Sequence, residues 1–304
     1  MMDLSIVIVN YNSKQFILDL LKSIKKYYSK ELEENKYEII IVDNASTDKS
    51  TEAIKKLKTL NLKLIENKEN SGFSRANNIG IRQTSGRYIL FLNPDTLVYE
   101  DTLSGMVEFM DRHPEAGAAT CRVVMGNGEI DDASHRGFPT PWNSLMYFTG
   151  LAKTFPKSRI FNGYHMGWLK MNKTHEIDAL AGAFMIVRRQ AGEAADWWDE
   201  DYFFYGEDLD FCYVLKQKKW KIYYVPDIKV FHHKGISGGI KKISQSKTTA
   251  DLKTRIRATN ERYRAMILFY DKHYLNKYPY FVTALTKIAI RIKLSKSLNE
   301  ITKG

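Results

Sequence analysis

The sequence predicts an α/β fold built on a parallel β-sheet. Residues 4–9, 37–42 and 88–92 are continuous apolar segments with the length and the β-branched composition of buried strands. Segments with helical spacing of apolar residues, 16–28 and 74–82, lie between them. Strands that alternate with helices form doubly wound sheets, which bind ligands beyond the carboxyl ends of their strands. We therefore expect functional residues in the loops that follow the strands.

Further elements are predicted from the same patterns. Helices are expected over 46–60, 101–112 and 207–218, and strands over 62–65, 117–125, 177–187, 222–225 and 228–231. Residues 126–174 mix glycine, proline, tryptophan and tyrosine in irregular order, which predicts long loops that cover a site.

The excess positive charge of the chain lies at one end. Of its 304 residues, 44% are hydrophobic and 27% are charged, which argues against wholesale disorder and against a polytopic membrane protein. The net charge is +11, and residues 241–304, with 15 basic and four acidic side chains, hold all of this excess. A basic segment with amphipathic helical spacing suits an anionic membrane surface. Packing of that segment on the core is the alternative, and nucleic-acid binding is disfavoured because no matching motif accompanies the charge.

The cysteines and the amino terminus indicate the compartment. Cys121 and Cys212 are too few for a disulfide framework or a four-thiolate zinc site. The first residues lack the basic start of a signal peptide, and no window of about 18 residues is free of charge. We expect a cytoplasmic protein held at the inner face of the cell membrane by its basic segment.

Polar clusters follow three of the predicted strands: Asn10-Tyr11-Asn12, residues 43–48, and Asn93-Pro94-Asp95. Turn and capping preferences explain any one such cluster, but three at successive strand ends favour a ligand site. Neither a glycine-rich dinucleotide fingerprint nor a P-loop follows the first strand, which disfavours a nucleotide-binding oxidoreductase. The remaining way to hold a diphosphate is a divalent cation, Mg²⁺ or Mn²⁺, bound by a carboxylate such as Asp95.

Seven motifs occur in order between residue 5 and about residue 240. They are S-I-V-I-V-N-Y-N (5–12), I-I-V-D-N-A-S-T-D (40–48), N-S-G-F-S-R-A-N-N-I-G (70–80), F-L-N-P-D (91–95), G-A-F-M-I-V-R-R (182–189), F-F-Y-G-E-D-L-D-F-C (203–212) and V-F-H-H-K-G (230–235). Together they resemble glycosyltransferase family 2, the inverting enzymes of the GT-A fold, and in particular its rhamnosyltransferase-like branch. The resemblance implies a Rossmann-like GT-A domain with a mostly parallel central sheet over 1–240, with a nucleotide-binding half (1–100) and an acceptor-binding half (101–240), followed by a basic helical extension over 241–304.

The resemblance also implies roles for individual residues. Those expected to bind the donor nucleotide are Asn10, Asn12, Asp43, Asn44, Asn70, Gly72, Phe73, Arg75, Asn77 and Asn93. Asp95 resembles the last acid of the family's metal-binding D-x-D motif, in which Asn93 here replaces the first acid. His232, with His233 as the alternate, resembles the metal-binding histidine.

Asp208 resembles the catalytic base of the family. From the residues alone, carboxylates at 207, 208 and 210 are equally explained as favourable charges at a helix amino terminus. Trp198, Glu207 and Gly182 are expected to contact the acceptor, Trp198 because aromatic faces suit the apolar faces of sugar rings.

The function implied is that of an inverting hexosyltransferase in cell-surface polysaccharide synthesis. It would move a sugar, rhamnose by the branch resemblance, from a nucleotide-diphosphate donor to a glycan or a lipid-linked saccharide. The expected cofactor is Mg²⁺ or Mn²⁺, the expected surroundings are a membrane face, and a homodimer is among the expected assemblies. A catalytically silent protein of the same fold is the alternative, which the joint presence of Asp43, Asp95, Asp208 and His232 disfavours.

Overall fold

The computed structural model describes residues 2–57, 61–233 and 251–303. The strands of the described residues are β1 (Leu4–Asn10), β2 (Tyr37–Asp43), β3 (Leu62–Glu66), β4 (Tyr88–Leu92), β5 (Thr96–Leu97), β6 (Ala116–Met125), β7 (His175–Ile177), β8 (Phe184–Arg188) and β9 (Lys221–His232). The helices are α1 (Lys14–Glu33), α2 (Ser50–Lys55), α3 (Phe73–Ile81), α4 (Thr102–Arg112), α5 (Pro141–Phe148), α6 (Leu151–Thr154), α7 (Arg189–Ala194), α8 (Glu207–Gln217), α9 (Leu252–His273) and α10 (Tyr280–Lys303), with a 3-10 turn at Asp132–Ser134.

The strands form one sheet in the order β3-β2-β1-β4-β8-β6-β9-β5, and β7 pairs with β9. β1, β2 and β4 are buried along their whole length, as the apolar runs predict, because helices cover both faces. Ile6 and Ile8 of β1 pack in a core with α1 and α4, whereas Val7 packs in a second core with α8. The first strands of this sheet therefore end together at one edge.

The sheet is parallel in the first half of the chain, as predicted, and antiparallel pairs join it in the second half. β1 pairs in parallel with β2 and β4, and β2 with β3. In the second half only β6 and β9 are parallel, while β8 runs antiparallel to both β4 and β6. β5 and β7 also pair antiparallel to β9. The sheet of the described residues is therefore mixed.

Three predicted elements differ from the structure. The helix expected over 46–60 is only Ser50–Lys55 within the described residues, because the Ser46 hydroxyl accepts a hydrogen bond from the turn after β1 instead of capping a helix. The strand expected over 177–187 is two strands, β7 and β8, since Ala179 between them bridges to Arg136. The two strands expected over 222–231 are one strand, β9, which continues past Pro226 through an irregularity in its pairing with β6.

The predicted helical structure near the carboxyl terminus is confirmed for 252–273 and 280–303, whereas residues 241–250 lie outside the described residues. α9 packs on the body of the protein, with Phe269, Tyr270 and Tyr274 buried against Phe138, Leu209 and Tyr213. Packing on the core, the alternative to a membrane role, thus holds for α9. Among the described residues, no helix combines the length and the apolarity that crossing a bilayer requires. The division into domains at residues 100 and 240 stays a prediction.

Candidate active site

The ends of β1 and β2 form the first part of the site. Asn10 lies opposite Asp43 in the parallel register, and the Asn10 side-chain amide donates a 2.7 Å hydrogen bond to the Asp43 carboxylate. The other Asp43 oxygen accepts from the backbone amide of Ser46. Asn12 adopts a left-handed backbone conformation, which asparagine tolerates, and its side chain accepts from the amide of Thr47. The predicted meeting of polar strand ends is therefore found in the structure.

A loop before α3 closes over these strand ends. The Asn44 side chain donates to the carbonyl of Gly72 at 3.0 Å, and the Asn70 side chain accepts from the Gly72 amide. Gly72 has a φ of +85°, and a Cβ there would lie 2.6 Å from the carbonyl oxygen of Phe203. The Phe73 amide donates to that same carbonyl. The loop before α3 is thus hydrogen bonded to the segment that leads into α8.

Three residues predicted to bind the donor nucleotide contact other protein groups in the structure. Asn77 is buried and donates to the Phe73 carbonyl within α3, and its role in donor binding stays a prediction. The Phe73 ring contacts Trp198 edge to face at 5.8 Å. Arg75 is exposed, with its guanidinium 3.9 Å from Glu200. Roles of Phe73 and Arg75 at the donor stay predictions.

Asp95 and His232 form a buried carboxylate–imidazole pair. β5 places them side by side, since Thr96 pairs with His232 and the Asp95 carbonyl accepts from the amide of His233. The imidazole Nε2 lies 3.3 Å from Asp95 and Nδ1 lies 3.5 Å from Asp131. Burial opposes a charge on the ring, but the two carboxylates outweigh it and raise the pKa of His232 to about 9. Burial likewise opposes the charge on Asp95, but His232 outweighs it and lowers the pKa of that carboxyl.

The pair is suited to a divalent cation. Both His232 nitrogens are buried and, within the part of the chain that the structure describes, neither makes a hydrogen bond of good geometry. No cluster of three or more ligating side chains occurs among residues 2–57, 61–233 and 251–303. Mg²⁺ and related ions commonly take one or two protein ligands and complete their shell with water and phosphate oxygens. The donor set therefore fits a cation that a bound diphosphate would share.

Asp208 is held by Arg136, a residue that sequence analysis misses. The guanidinium Nη2 donates to Asp208 Oδ2 at 2.5 Å, and the other carboxylate oxygen accepts from the amide of Leu209. Both side chains are largely buried, with exposures of 10% and 15%. Burial opposes the charge of Arg136, but Asp208 outweighs it and raises the pKa of the guanidinium. A bonded arginine keeps the Asp208 carboxylate oriented at the start of α8.

Glu207 differs from its neighbour in charge state. Its side chain is buried, and burial together with the Asp208 carboxylate raises its pKa to about 8. Glu207 is therefore mainly protonated at neutral pH, whereas the Asp208 carboxylate accepts a hydrogen bond from Arg136. A neutral carboxyl beside an ionised one supplies a hydrogen-bond donor and an acceptor at adjacent positions.

A short segment joins the Asp95–His232 pair to Asp208. Asp131 contacts His232 and caps the 3-10 turn, and Arg136, five residues later, holds Asp208. Five residues span at most about 17 Å. Asp131, like Arg136, is missed by sequence analysis because it lies in an irregular region without periodicity. Asp131 and Arg136 are charged residues near the start of the irregular segment 126–174, and this is the signal that could have identified them.

Two residues expected at the acceptor lie in the core or against it. Trp198 is 2% exposed and is enclosed by Phe91, Phe211 and Phe73, at ring distances of 4.7, 5.1 and 5.8 Å. The indole is thus a core side chain in this structure, and its contact with an acceptor sugar stays a prediction. Gly182 is buried beside the Phe73 ring. Asn93 is half-buried after β4, and its amide donates to Ala183.

An open cleft of about 690 Å³ adjoins Asp131. Its lining includes Asp132, His135, His165 and Met171. The Nε2 atoms of His135 and His175 lie 2.6 Å apart, which requires one ring to donate to the other. Burial and the neighbouring His175 lower the pKa of His135 to about 4, and burial also lowers the pKa of His175, so both rings are neutral at pH 7. The cleft is large enough for a sugar unit beside the metal pair.

The helix that carries Asp208 is anchored to α9. Asp210 is buried and accepts from the Tyr202 hydroxyl at 3.0 Å and from His273 Nε2 at 2.7 Å. Lys272 is paired with Asp199 and Asp201 in the preceding loop. α9 is therefore a structural support of the base-bearing segment.

The fold and the polar strand ends define the class of GT-A nucleotide-diphospho-sugar transferase folds. Among solved structures, mannosyltransferase PcManGT from Pyrobaculum calidifontis, in complex with GDP-Man and Mn²⁺, has a TM-score of 0.57 at 17% identity over 99% of this chain and 73% of that chain. S. aureus TarS 1-349 in complex with UDP has a TM-score of 0.51 at 18% identity over 88% of this chain and 66% of that chain. These likenesses show the GT-A fold.

The sequence comparisons give the family. The family model described as "Glycosyl transferase family 2" matches residues 5–178, and the chain belongs to this family. Rhamnosyltransferase WbbL of Escherichia coli (strain K12) is 29% identical over 171 residues, which are 53% of this chain and 61% of that protein. The poly(ribitol-phosphate) beta-N-acetylglucosaminyltransferase TarS of Staphylococcus aureus (strain Mu50 / ATCC 700699) is 31% identical over 115 residues, which are 37% of this chain and 20% of that protein. The matched part thus spans less than two thirds of each of these relatives.

Proposed function

We propose that this protein transfers a sugar from a nucleoside diphosphate donor to a saccharide acceptor, with inversion at the anomeric carbon, in the synthesis of a cell-surface polysaccharide. The observation that supports the proposal most directly is the Asp131–Arg136 segment, which links a buried carboxylate–imidazole pair to a carboxylate at a helix start. Rhamnose is the proposed sugar, and WbbL, a rhamnosyltransferase by its name, is among the relatives. The proposed acceptor is a glycan or a lipid-linked saccharide.

In the proposed reaction, Asp208 is the general base. Its carboxylate accepts the proton of the acceptor hydroxyl while that oxygen bonds to the anomeric carbon and the bond to the diphosphate breaks. The Arg136 guanidinium holds the carboxylate through Oδ2, and the protonated Glu207 is proposed to donate to an acceptor oxygen. Positioned base catalysis contributes about 10²–10⁴-fold in rate.

On the donor side, Asn10, Asn12, Asp43, Asn44 and Asn93 are proposed to line the nucleotide pocket, with Asn70 and Gly72 shaping the loop above it. Asp95 and His232 would hold Mg²⁺ or Mn²⁺. When bound, such a cation supplies positive charge that stabilises the leaving diphosphate.

Association with the inner face of the cell membrane and formation of a homodimer also stay proposals. The basic composition of 241–304 supports the first.

Replacing Asp208 by Asn tests the function. The wild-type protein is incubated with a panel of nucleoside diphosphate sugars and saccharide acceptors, and products are detected by mass. We expect Asp208→Asn to lose transfer by about 10²-fold or more while donor binding, measured by calorimetry, is retained. Asp196→Asn replaces an exposed carboxylate near the same segment, at a left-handed position that asparagine tolerates, and is the matched control, expected to behave as wild type. Full turnover by Asp208→Asn would contradict the assignment of the base.

A further inference from the structure

The helix α10 is packed in an unusual orientation. Its inward side carries Thr283, which exchanges a hydrogen bond with the Tyr270 hydroxyl, and Ser297, which does so with Tyr263. The one fully apolar residue buried there is Ile290. Hydroxyl groups thus face the protein on a helix whose remaining large side chains are mostly aliphatic.

The opposite side of α10 is an exposed apolar stripe. Phe281, Leu285, Ile288 and Ile292 recur at intervals of four, three and four residues, which places them on one face of the helix. Their exposures are 64%, 63%, 50% and 64%. A helix of a globular protein normally turns its apolar side chains to the core. α10 instead carries them on both sides, with Ile290 buried and the stripe exposed, so the stripe is available to another apolar phase.

A second exposed apolar region adjoins α10 near Phe148. Lys293 of α10 lies over the Phe148 ring, 4.3 Å from its centroid. Around Phe148, the region of α5 and the following loop exposes large side chains, namely Trp142, Leu145, Tyr147, Phe155 and Ile160. The Trp142 indole donates to the Ile160 carbonyl, which holds the two ends of this region together. We call the α10 stripe together with this region the outer face.

The charges around the outer face are mainly basic, with Glu300 beside Ile292 as an acidic side chain near the end of α10. Residues 133–175, which contain the α5 region, include six Lys or Arg and no Asp or Glu. Residues 272–299, which contain the α10 stripe, also include six Lys or Arg and no Asp or Glu. Two copies of such a surface would repel each other, whereas exposed apolar side chains within a field of basic ones match an anionic lipid bilayer.

We propose that the protein binds the surface of an anionic lipid bilayer through the outer face, with α5 and α10 inserting side by side. The proposal names the surface that would mediate the membrane association in the proposed function, and its biological purpose rests on that function. It also differs from attachment by the carboxyl-terminal segment alone, because exposed apolar side chains of residues 141–160 would share the contact. The same 133–175 segment lines the cleft beside Asp131 with His165 and Met171, so docking would bring that cleft close to the bilayer.

Vesicle sedimentation with the full-length protein tests the proposal. We expect binding to phosphatidylcholine vesicles that contain about 30% phosphatidylglycerol, weaker binding at high salt, and little binding to phosphatidylcholine alone. Two variants remove the apolar parts separately: Phe281→Ser with Leu285→Ser and Ile288→Ser, and Leu145→Ser with Ile160→Ser. Each should lower the partition coefficient by about tenfold or more. Leu57→Ser, which removes an exposed leucine elsewhere, should leave it unchanged.

The outcomes separate the alternatives. Unchanged binding by the α5-region variant, or equal binding to neutral vesicles, would overturn the proposal. The proposal would also be overturned if the wild type were a dimer in sedimentation velocity and the α10 variant a monomer that still binds vesicles. The stripe would then be a dimer contact. Circular dichroism confirms that the variants are folded. Nucleoside diphosphate binding by the same proteins is measured separately, so failure of the transferase proposal and failure of the docking proposal give different results.

Discussion

Replacing Glu207 by Gln removes a buried titrating group next to the proposed base. Burial and then the Asp208 carboxylate raise the pKa of Glu207 from 4.5 to about 8. The native state therefore binds this proton more tightly than the unfolded chain does. The stabilisation is complete below the unfolded pKa and is lost as the pH rises towards the folded one. Each pH unit within that interval costs about 1.4 kcal/mol, which amounts to roughly 5 kcal/mol over the whole interval.

Urea unfolding from about pH 5 to about pH 8 measures this effect. The free energy of unfolding of the wild type should fall with pH more steeply than that of Glu207→Gln, because the neutral amide mimics the protonated acid at every pH. The difference should approach a few kcal/mol at the alkaline end. Asp201→Asn, at an exposed carboxylate, should keep the wild-type slope. Equal slopes for the wild type and Glu207→Gln would refute the assignment of a protonated Glu207.

Three further substitutions have defined outcomes. Arg136→Met leaves the Asp208 carboxylate unpaired and should destabilise the protein by about 3–5 kcal/mol in urea unfolding, with partial rescue of stability and transfer by Arg136→Lys. Gly72→Ala forces a left-handed φ on alanine and a contact with the Phe203 carbonyl, so it should cost about 1–3 kcal/mol in thermal unfolding. Trp198→Ala empties a core position and should cost about 3–5 kcal/mol; a loss of acceptor affinity without a loss of stability would contradict the core assignment.

The sequence alone is sufficient to predict that the polar residues after β1 and β2 lie together. Strand ends in a parallel sheet meet at one edge, so Asn10 and Asp43 could be placed together from periodicity alone, and they are hydrogen bonded. The pairing of Asp95 with His232 follows from the family resemblance, since the 136 intervening residues give no local signal. Their predicted metal role awaits a binding measurement.

The second half of the chain was less predictable for physical reasons. Arg136 and Asp208 are 72 residues apart, and only the tertiary structure brings an irregular loop to the start of α8. Trp198 belongs to an aromatic run, and composition does not distinguish a sugar platform from a core residue that Phe91 and Phe211 enclose. For α10, periodicity reveals an apolar stripe but not that hydroxyl side chains such as Thr283 would face the protein.

Manganese binding, followed by the electron paramagnetic resonance signal of free Mn²⁺, tests most directly whether Asp95 and His232 hold a cation against the donor diphosphate. Titrations use the protein with UDP, GDP or dTDP and with no nucleotide. We expect the wild-type protein with one of these nucleotides to retain Mn²⁺ more tightly than the protein alone or the nucleotide alone. Asp95→Asn and His232→Ala should each weaken this retention by about tenfold or more. Unchanged Mn²⁺ retention by both variants would contradict the proposed site.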